Sequence, residues 1–129
     1  MRLARLAHAA IAWLLVAGLL VQVFLAGLGV FEGAARFATH REFGYLLSVI
    51  PIVLLILAAV GRLGRQQVAL SALMFVLFLL QSVFVAQRAT APFVAALHPV
   101  NGFFILLLAI AAARSSWTGR ADAPAPAVA

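Results

Sequence analysis

The chain has 129 residues, of which 67% are hydrophobic and 9% are charged, and its mean hydropathy is +1.19. A soluble domain is roughly half apolar and a quarter charged, so this chain has too little polar surface for a water-facing globule and lipid must be its main solvent. Nine basic residues against three acidic ones give a net charge of +6, but they lie between apolar runs, which is typical of membrane topology signals and argues against a nucleic-acid partner. The lack of cysteine excludes disulfides, thiolate metal sites, cysteine nucleophiles and covalent c-type haem.

Four apolar runs predict four transmembrane helices, because each is close to the length of about 20 residues that crosses the hydrocarbon core. We expect an all-α fold, an integral membrane four-helix bundle with up-down-up-down topology, since the connections are short. The first run is too long for the apolar region of a signal peptide, and no clear cleavage site follows it. The predicted helices cover about 9–30, 41–60, 68–87 and 92–113 within a transmembrane domain at 1–120, and an Ala/Pro-rich disordered cytoplasmic tail covers 121–129.

The second and fourth helices each contain a proline that predicts a bend. Pro51 lies inside helix 2, and Pro99 lies inside helix 4 if that helix starts near Pro92. Proline has no backbone N–H, so it leaves a carbonyl of the preceding turn without its partner. The polar stretch "THREFG" at 39–44 contains a T-x-x-E capping box that predicts the start of helix 2, and Thr90 is a candidate cap for helix 4.

The arginines indicate the orientation of the bundle. If the helices alternate, one side carries Arg2, Arg5, Arg62, Arg65, Arg114 and Arg120. The other side carries Arg36, Arg41 and Arg88, partly offset by Glu32 and Glu42. The positive-inside rule then predicts that both termini are cytoplasmic. The abundance of arginine and alanine favours a bacterial source, and therefore the bacterial cytoplasmic membrane, as the location of this multi-pass protein.

An internal repeat relates the two halves of the chain. The stretch "LVQVFLAGLG" in helix 1 is similar to "LLQSVFVAQR" in helix 3. In each half a histidine follows a glutamine after 17 or 18 residues, and a glycine follows the histidine four residues later. The three residues are Gln22, His40 and Gly44 in the first half, and Gln81, His98 and Gly102 in the second. This register predicts two similar helical hairpins.

The two histidines are candidate metal ligands near the outer membrane face. Helices 2 and 4 run in the same direction and lie across the diagonal of the bundle, about 14 Å apart for neighbouring axes of 8–10 Å. This distance predicts that His40 and His98 are too far apart for direct contact and suits bis-histidine ligation of a haem iron. Gly44 and Gly102 lie one turn deeper on the same faces, where a missing side chain leaves room for a flat macrocycle.

Polar residues around the histidines extend the predicted haem site. Arg36, Arg41 and Arg88 lie on the outer side and are candidates to pair with the haem propionates. Gln22 and Gln81 are candidates to donate to the cofactor or to bond the second nitrogen of a ligating histidine.

At these residues the chain resembles one four-helix half of haem A synthase. The resemblance rests on "HREFG" opening the second helix and on a histidine opening the fourth. In that family the histidines of the second and fourth helices face a haem, which implies His40 and His98 as axial ligands of a haem b in a cytochrome b-like bundle. The chain has one such unit instead of two and no loop cysteines, so synthase activity is not implied. It is also similar to small four-helix membrane proteins of unknown function from actinobacteria.

Simpler explanations exist for every candidate residue, and they predict a cofactor-free accessory or structural protein that acts through partner subunits. Histidine near a helix end is often an interfacial residue, glutamines often bond neighbouring helices, and arginines often extend to the interface. No catalytic residue is predicted, because the histidines lack a third metal ligand and a base, and no carboxylate lies mid-membrane. The expected partners are the lipid bilayer and either a redox partner or a larger membrane complex.

Overall fold

Four long helical rods make up the computed structural model, which describes residues 2–117. The helices are α1 (Arg2–Phe31), α2 (Phe37–Ser48), α3 (Ile50–Val60), α4 (Arg65–Ala86), α5 (Pro92–Ala95) and α6 (Leu97–Trp117), with a 3-10 turn at Ala34–Arg36. They form four spans that are long and apolar enough to cross a membrane: span 1 (Leu3–Phe31), span 2 (Ala34–Val60), span 3 (Arg65–Ala86) and span 4 (Pro92–Trp117). The predicted all-α class is confirmed, and the chain is a multi-pass membrane protein. The predicted tail at 121–129 lies outside the described residues.

The four spans form a ring in chain order. Each span packs against its neighbours in the sequence, and span 4 closes the ring by packing along span 1. Among the described residues, backbone contacts across either diagonal are marginal or missing. This is the up-down-up-down bundle expected for short connections, and it brings the N-terminal parts of spans 2 and 4 to the same end. We call this end the histidine end, and the opposite end, with the turn between α3 and α4, the arginine end.

Spans 2 and 4 are each interrupted next to a proline, as the sequence predicts. The break in span 2 lies between Ser48 and Ile50, and Pro51 follows it directly. The break in span 4 lies between Ala95 and Leu97, shortly before Pro99. In both cases the carbonyl four residues before the proline has no proline N–H to bond, which accounts for an interrupted helix at this point.

Helix α2 begins earlier than the capping box in "THREFG" predicts. Gly33 has φ +124°, which lets the chain turn sharply after span 1 into the 3-10 turn. The helix follows at Phe37, with no side-chain hydrogen bond at its cap, so Thr39 and Glu42 lie within it. The capping-box prediction is therefore wrong.

Helix α5 also starts without the cap that the sequence predicts. Ala91 occupies the cap position of α5, with no side-chain hydrogen bond to the helix. The Thr90 Oγ1 instead donates to Gln87 Oε1 at 3.0 Å. The prediction that Thr90 caps helix 4 is also wrong.

The middle of the bundle is apolar. The four largest fully buried side chains come one from each span: Leu15, Leu54, Met74 and Ile105. Span 1 and span 4 approach closely through small buried residues, including Ala12, Ala109 and Ala113. Small residues are typical of such contacts in membranes, where packing rather than the hydrophobic effect holds helices together. This core separates the polar groups at the two ends of the bundle.

Two glycines of α1 provide a matched test of the packing between α1 and Phe37, the first residue of α2. A Cβ atom at Gly29 would lie 2.7 Å from three ring atoms of Phe37, whereas one at Gly27 meets nothing within 4 Å. We expect Gly29→Ala to lower stability by about 1–3 kcal/mol because the ring must move. We expect Gly27→Ala to be neutral or slightly stabilising, since alanine favours helix. Thermal unfolding of the detergent-purified variants, followed by circular dichroism, measures both, and equal melting temperatures would contradict the packing described.

Candidate functional site

The two histidines of the repeat face each other at the histidine end. The ring centroids of His40 and His98 are 6.1 Å apart, and the ring planes cross at 67°. The prediction that they are too far apart for direct contact is wrong, because both side chains extend inward from opposite corners of the ring of spans. Their separation lies within the range of edge contacts between rings. The ring of Phe37 also makes an edge contact with His40, with centroids 6.2 Å apart and ring planes at 87°.

Hydrogen bonds to the backbone orient both imidazoles in the same way. The Nδ1 atom of His40 lies 3.1 Å from the carbonyl oxygen of Gln22, and the Nδ1 atom of His98 lies 3.2 Å from that of Gln81. A carbonyl oxygen only accepts, so in each bond Nδ1–H is the donor. In a neutral imidazole Nε2 then carries the lone pair, and no hydrogen bond of the described residues involves this atom on either ring. This is the tautomer that a metal-ligating histidine adopts when it binds through Nε2.

The glycines of the repeat accommodate the glutamine side chains. A Cβ atom at Gly44 would lie 2.6 Å from Gln22 Nε2, and one at Gly102 would lie 3.3 Å from Gln81 Nε2. The space that we expected to admit a flat macrocycle therefore holds an amide in both halves. Each glutamine thus makes two contacts with the facing helix. Its backbone carbonyl accepts a hydrogen bond from the histidine, and its side-chain amide packs on the glycine one turn deeper. This double contact explains why glutamine, histidine and glycine recur in register.

Asn101 makes the two halves unequal. Its Nδ2 donates to the carbonyl of Leu77 at 2.8 Å and to Gln81 Oε1 at 3.0 Å, so the second glutamine is held in place. The equivalent position in the first half, three residues after the histidine, is Phe43, which has no group to donate. As a result Gln22 Oε1 is buried without a hydrogen-bond partner. A buried acceptor of this kind costs about 1–3 kcal/mol unless a donor reaches it.

The three arginines predicted for the site lie on its exposed periphery. The Nε of Arg36 is 3.0 Å from Glu32 Oε2, and Nη2 of Arg41 is 4.0 Å from Glu42 Oε1, with more than half of each arginine side chain exposed. Arg88 Nη1 donates to the carbonyl of its own turn at 3.5 Å. Within residues 2–117 no hydrogen bond or ion pair joins these arginines to either histidine. Exposed pairs of this kind are weak and exchange readily with other anions.

A second polar cluster, at the arginine end, contains a third histidine that the sequence analysis missed. His8 is fully buried, and its Nδ1 shares a hydrogen bond of 2.9 Å with Ser116 Oγ, while its Nε2 lies 3.4 Å from Ser71 Oγ. Beside it Gln67 Nε2 donates to Ser115 Oγ, and Gln67 Oε1 is buried without a partner. The cluster joins spans 1, 3 and 4. Ser71 and Ser116 are 63 and 108 residues from His8 in the chain, so no local sequence motif indicates the cluster.

Neither histidine cluster forms a metal site from protein ligands alone. Within the described residues no group of three or more histidine, cysteine or carboxylate side chains comes together. Two histidines hold a metal well when the metal brings its remaining ligands, as iron does in a porphyrin.

The family described as "Family of unknown function (DUF6220)" matches residues 22–90, which is more than half of the 129-residue chain. The chain belongs to this family. The match includes Gln22, His40, Gly44 and Gln81, and it ends before His98. Neither a curated protein nor a solved structure matches the chain.

The cluster around His8 can be tested with two serines. Ser116→Ala leaves Nδ1 of the buried His8 without its partner, so we expect a loss of about 1–3 kcal/mol in unfolding free energy. Ser82→Ala is the matched control, because Ser82 is exposed and none of the hydrogen bonds described includes it. The midpoints of thermal unfolding in detergent measure the difference. Equal destabilisation by both changes would show that the bond to His8 contributes nothing.

The inequality of the two glutamines predicts unequal effects of the same substitution. Gln81→Met removes an acceptor from Asn101 Nδ2, and we expect it to cost about 1–3 kcal/mol. Gln22→Met removes an acceptor that is already unpartnered, so we expect little loss or a gain. Methionine is similar to glutamine in length and preserves the packing on each glycine. Thermal unfolding of the two variants compares them, and a larger loss for Gln22→Met would contradict the arrangement described here.

Proposed function

We propose that this protein binds a b-type haem between spans 2 and 4 through His40 and His98, and that it acts in electron transfer or haem handling. The observation that carries the proposal is the convergence of the two imidazoles, 6.1 Å apart, with both Nδ1 atoms held by backbone carbonyls. Backbone hydrogen bonds at the second nitrogen are typical of ligating histidines, because they fix the tautomer and the ring direction.

The separation of the rings supports ligation of a shared metal. Metal–nitrogen bonds are about 2.0 Å long. Each ring nitrogen lies about 1 Å from its ring centroid, so two imidazoles on opposite sides of one metal have centroids about 6 Å apart. The observed distance is 6.1 Å. A haem, when bound, would supply one-electron redox chemistry at its iron.

Residues around the histidines fit a role in holding such a group. Gln22 has a buried Oε1 without a partner, so its amide can leave Gly44 without breaking a hydrogen bond at that atom. Arg36, Arg41 and Arg88 are the cations of the histidine end and are candidates to pair with carboxylates of the ligand. Arg88 has no carboxylate partner among the described residues.

The placement in the cell is part of the proposal. The arginines favour a cytoplasmic arginine end, with both termini in the cytoplasm of a bacterium and the chain in its inner membrane. The histidine end would then lie near the outer face. A redox partner would approach from that side or within a larger membrane complex.

A second candidate function is that of a cofactor-free accessory protein. The observation that favours it is the filling of the space over both glycines by glutamine amides. In this alternative the His–Gln contacts serve only to join span 1 to span 2 and span 3 to span 4. The protein would then act through partner subunits.

A pyridine haemochrome assay and a redox difference spectrum on protein expressed with haem available separate the two functions. We expect about one b-type haem per chain, lost in His40→Ala and in His98→Ala because each removes an axial ligand. His8→Asn is the matched control, since it changes a histidine at the arginine end, and its folded fraction should keep the haem. Wild-type protein without haem, or haem that survives both substitutions, would overturn the proposal.

Chemical rescue distinguishes a lost ligand from a misfolded bundle. We expect His98→Gly to regain haem when imidazole is added, because free imidazole can occupy the vacated ligand position. The visible spectrum of the reduced protein, with and without imidazole, measures this. A variant that unfolds in the same way with and without imidazole, and never regains haem, would contradict a ligand role for His98.

A further inference from the structure

A groove opens at the arginine end between the last turn of α3 and the first turn of α4. Its volume is about 450 Å³, and it is open to the surroundings on one side. We call it the α3–α4 groove. It is lined by Ala58, Ala59, Val68 and Ala69, which we call its floor, and by Arg62, Gly64 and Arg65, which we call its mouth.

The turn between the two helices places both arginines at this mouth. Leu63 is buried and its N–H bonds the carbonyl of Ala58 at 3.0 Å, so the middle of the turn is anchored in the bundle. Arg62 has φ +50° and Gly64 has φ +100°, which reverses the chain tightly on both sides of Leu63. The side chains of Arg62 and Arg65 are thereby left exposed on either side of the anchor.

Among residues 2–117, no carboxylate compensates the positive charge at the mouth. Within residues 2–117 the acidic residues are Glu32 and Glu42, and both lie at the histidine end. No ion pair of the described residues involves Arg62 or Arg65. The N-terminus of α4 adds to the field, because Gly64 provides no side-chain cap for its first backbone N–H groups.

We propose that the α3–α4 groove is a binding site for an anionic phospholipid. The phosphate of the headgroup would lie between Arg62 and Arg65, and an acyl chain would lie along the alanine floor. The small side chains of the floor leave room for the acyl chain, and the two arginines complement the negative charge of the phosphate. Basic pockets between membrane helices on the positively charged side are typical sites for anionic headgroups.

The two parts of the groove together favour an anionic lipid over other occupants. A zwitterionic lipid brings a cation next to the arginines, which removes most of the electrostatic gain. Free phosphate would use the arginines but would leave the apolar floor uncovered. A lipid with a net negative headgroup would contact both the arginines and the apolar floor.

Native mass spectrometry of the full-length protein with phosphatidylglycerol and phosphatidylcholine tests the site. We expect wild-type protein to retain phosphatidylglycerol about tenfold more strongly than phosphatidylcholine, and R62Q/R65Q to lose this preference. The matched control R36Q/R41Q removes the same charge from the histidine end and should keep it. Ala69→Phe keeps both arginines but fills the floor, and we expect it to weaken retention of phosphatidylglycerol.

Three outcomes would overturn the proposal. The first is equal retention of the two lipids by wild-type protein. The second is an equal loss in R62Q/R65Q and R36Q/R41Q, which would indicate net charge without a site. The third is unchanged retention in Ala69→Phe, which would indicate headgroup attraction without a seated chain. Ala69 is exposed, so the variant should fold; if it melts early, Ala59→Phe fills the groove from the α3 side and repeats the test.

Discussion

Satisfaction of backbone polar groups inside an apolar solvent is the constraint on which this structure depends. In hydrocarbon each N–H and carbonyl must find its partner within the protein, so every span is helical. The two prolines interrupt this pattern, and the breaks they cause lie within spans 2 and 4, the spans that carry the paired histidines. The same constraint gives the carbonyls of Gln22 and Gln81 their role, since they accept from His40 and His98. Helical geometry and the candidate site are therefore parts of one hydrogen-bonding arrangement.

The bundle has polar groups at both ends and an apolar middle. The histidine end holds the paired imidazoles, and the arginine end holds the buried His8 cluster and the turn with Arg62 and Arg65. Between them lies a layer of large apolar side chains, one from each span. In such a medium polar groups stabilise the fold only when they are paired, so each cluster also selects the packing of the spans it joins. The polar clusters therefore contribute to the packing of the bundle at both of its ends.

The repeat shows how one structural device can be kept in one half and changed in the other. Both halves join a glutamine to a histidine and a glycine on the facing helix. Asn101 completes the hydrogen bonds of the second half, while the first half has Phe43 and an unpartnered Gln22 Oε1. The Gln81 side chain therefore has a hydrogen-bond partner at its Oε1, whereas the Oε1 of Gln22 has none among the described residues. The two hairpins therefore share their contacts but differ in how well the polar atoms of the two glutamines are paired.

By itself the sequence determined the four spans, the order of their packing, the breaks next to Pro51 and Pro99, and the register of the repeat. These follow from hydropathy, connection length, the missing proline N–H and the spacing of residues along one chain segment. Only the tertiary structure decided that the rings of His40 and His98 converge to 6.1 Å, that glutamine amides cover Gly44 and Gly102, and that α2 begins before Thr39. It also revealed the cluster around His8. These features depend on how far side chains reach between helices and on which distant residues meet, and a linear pattern carries no information about either.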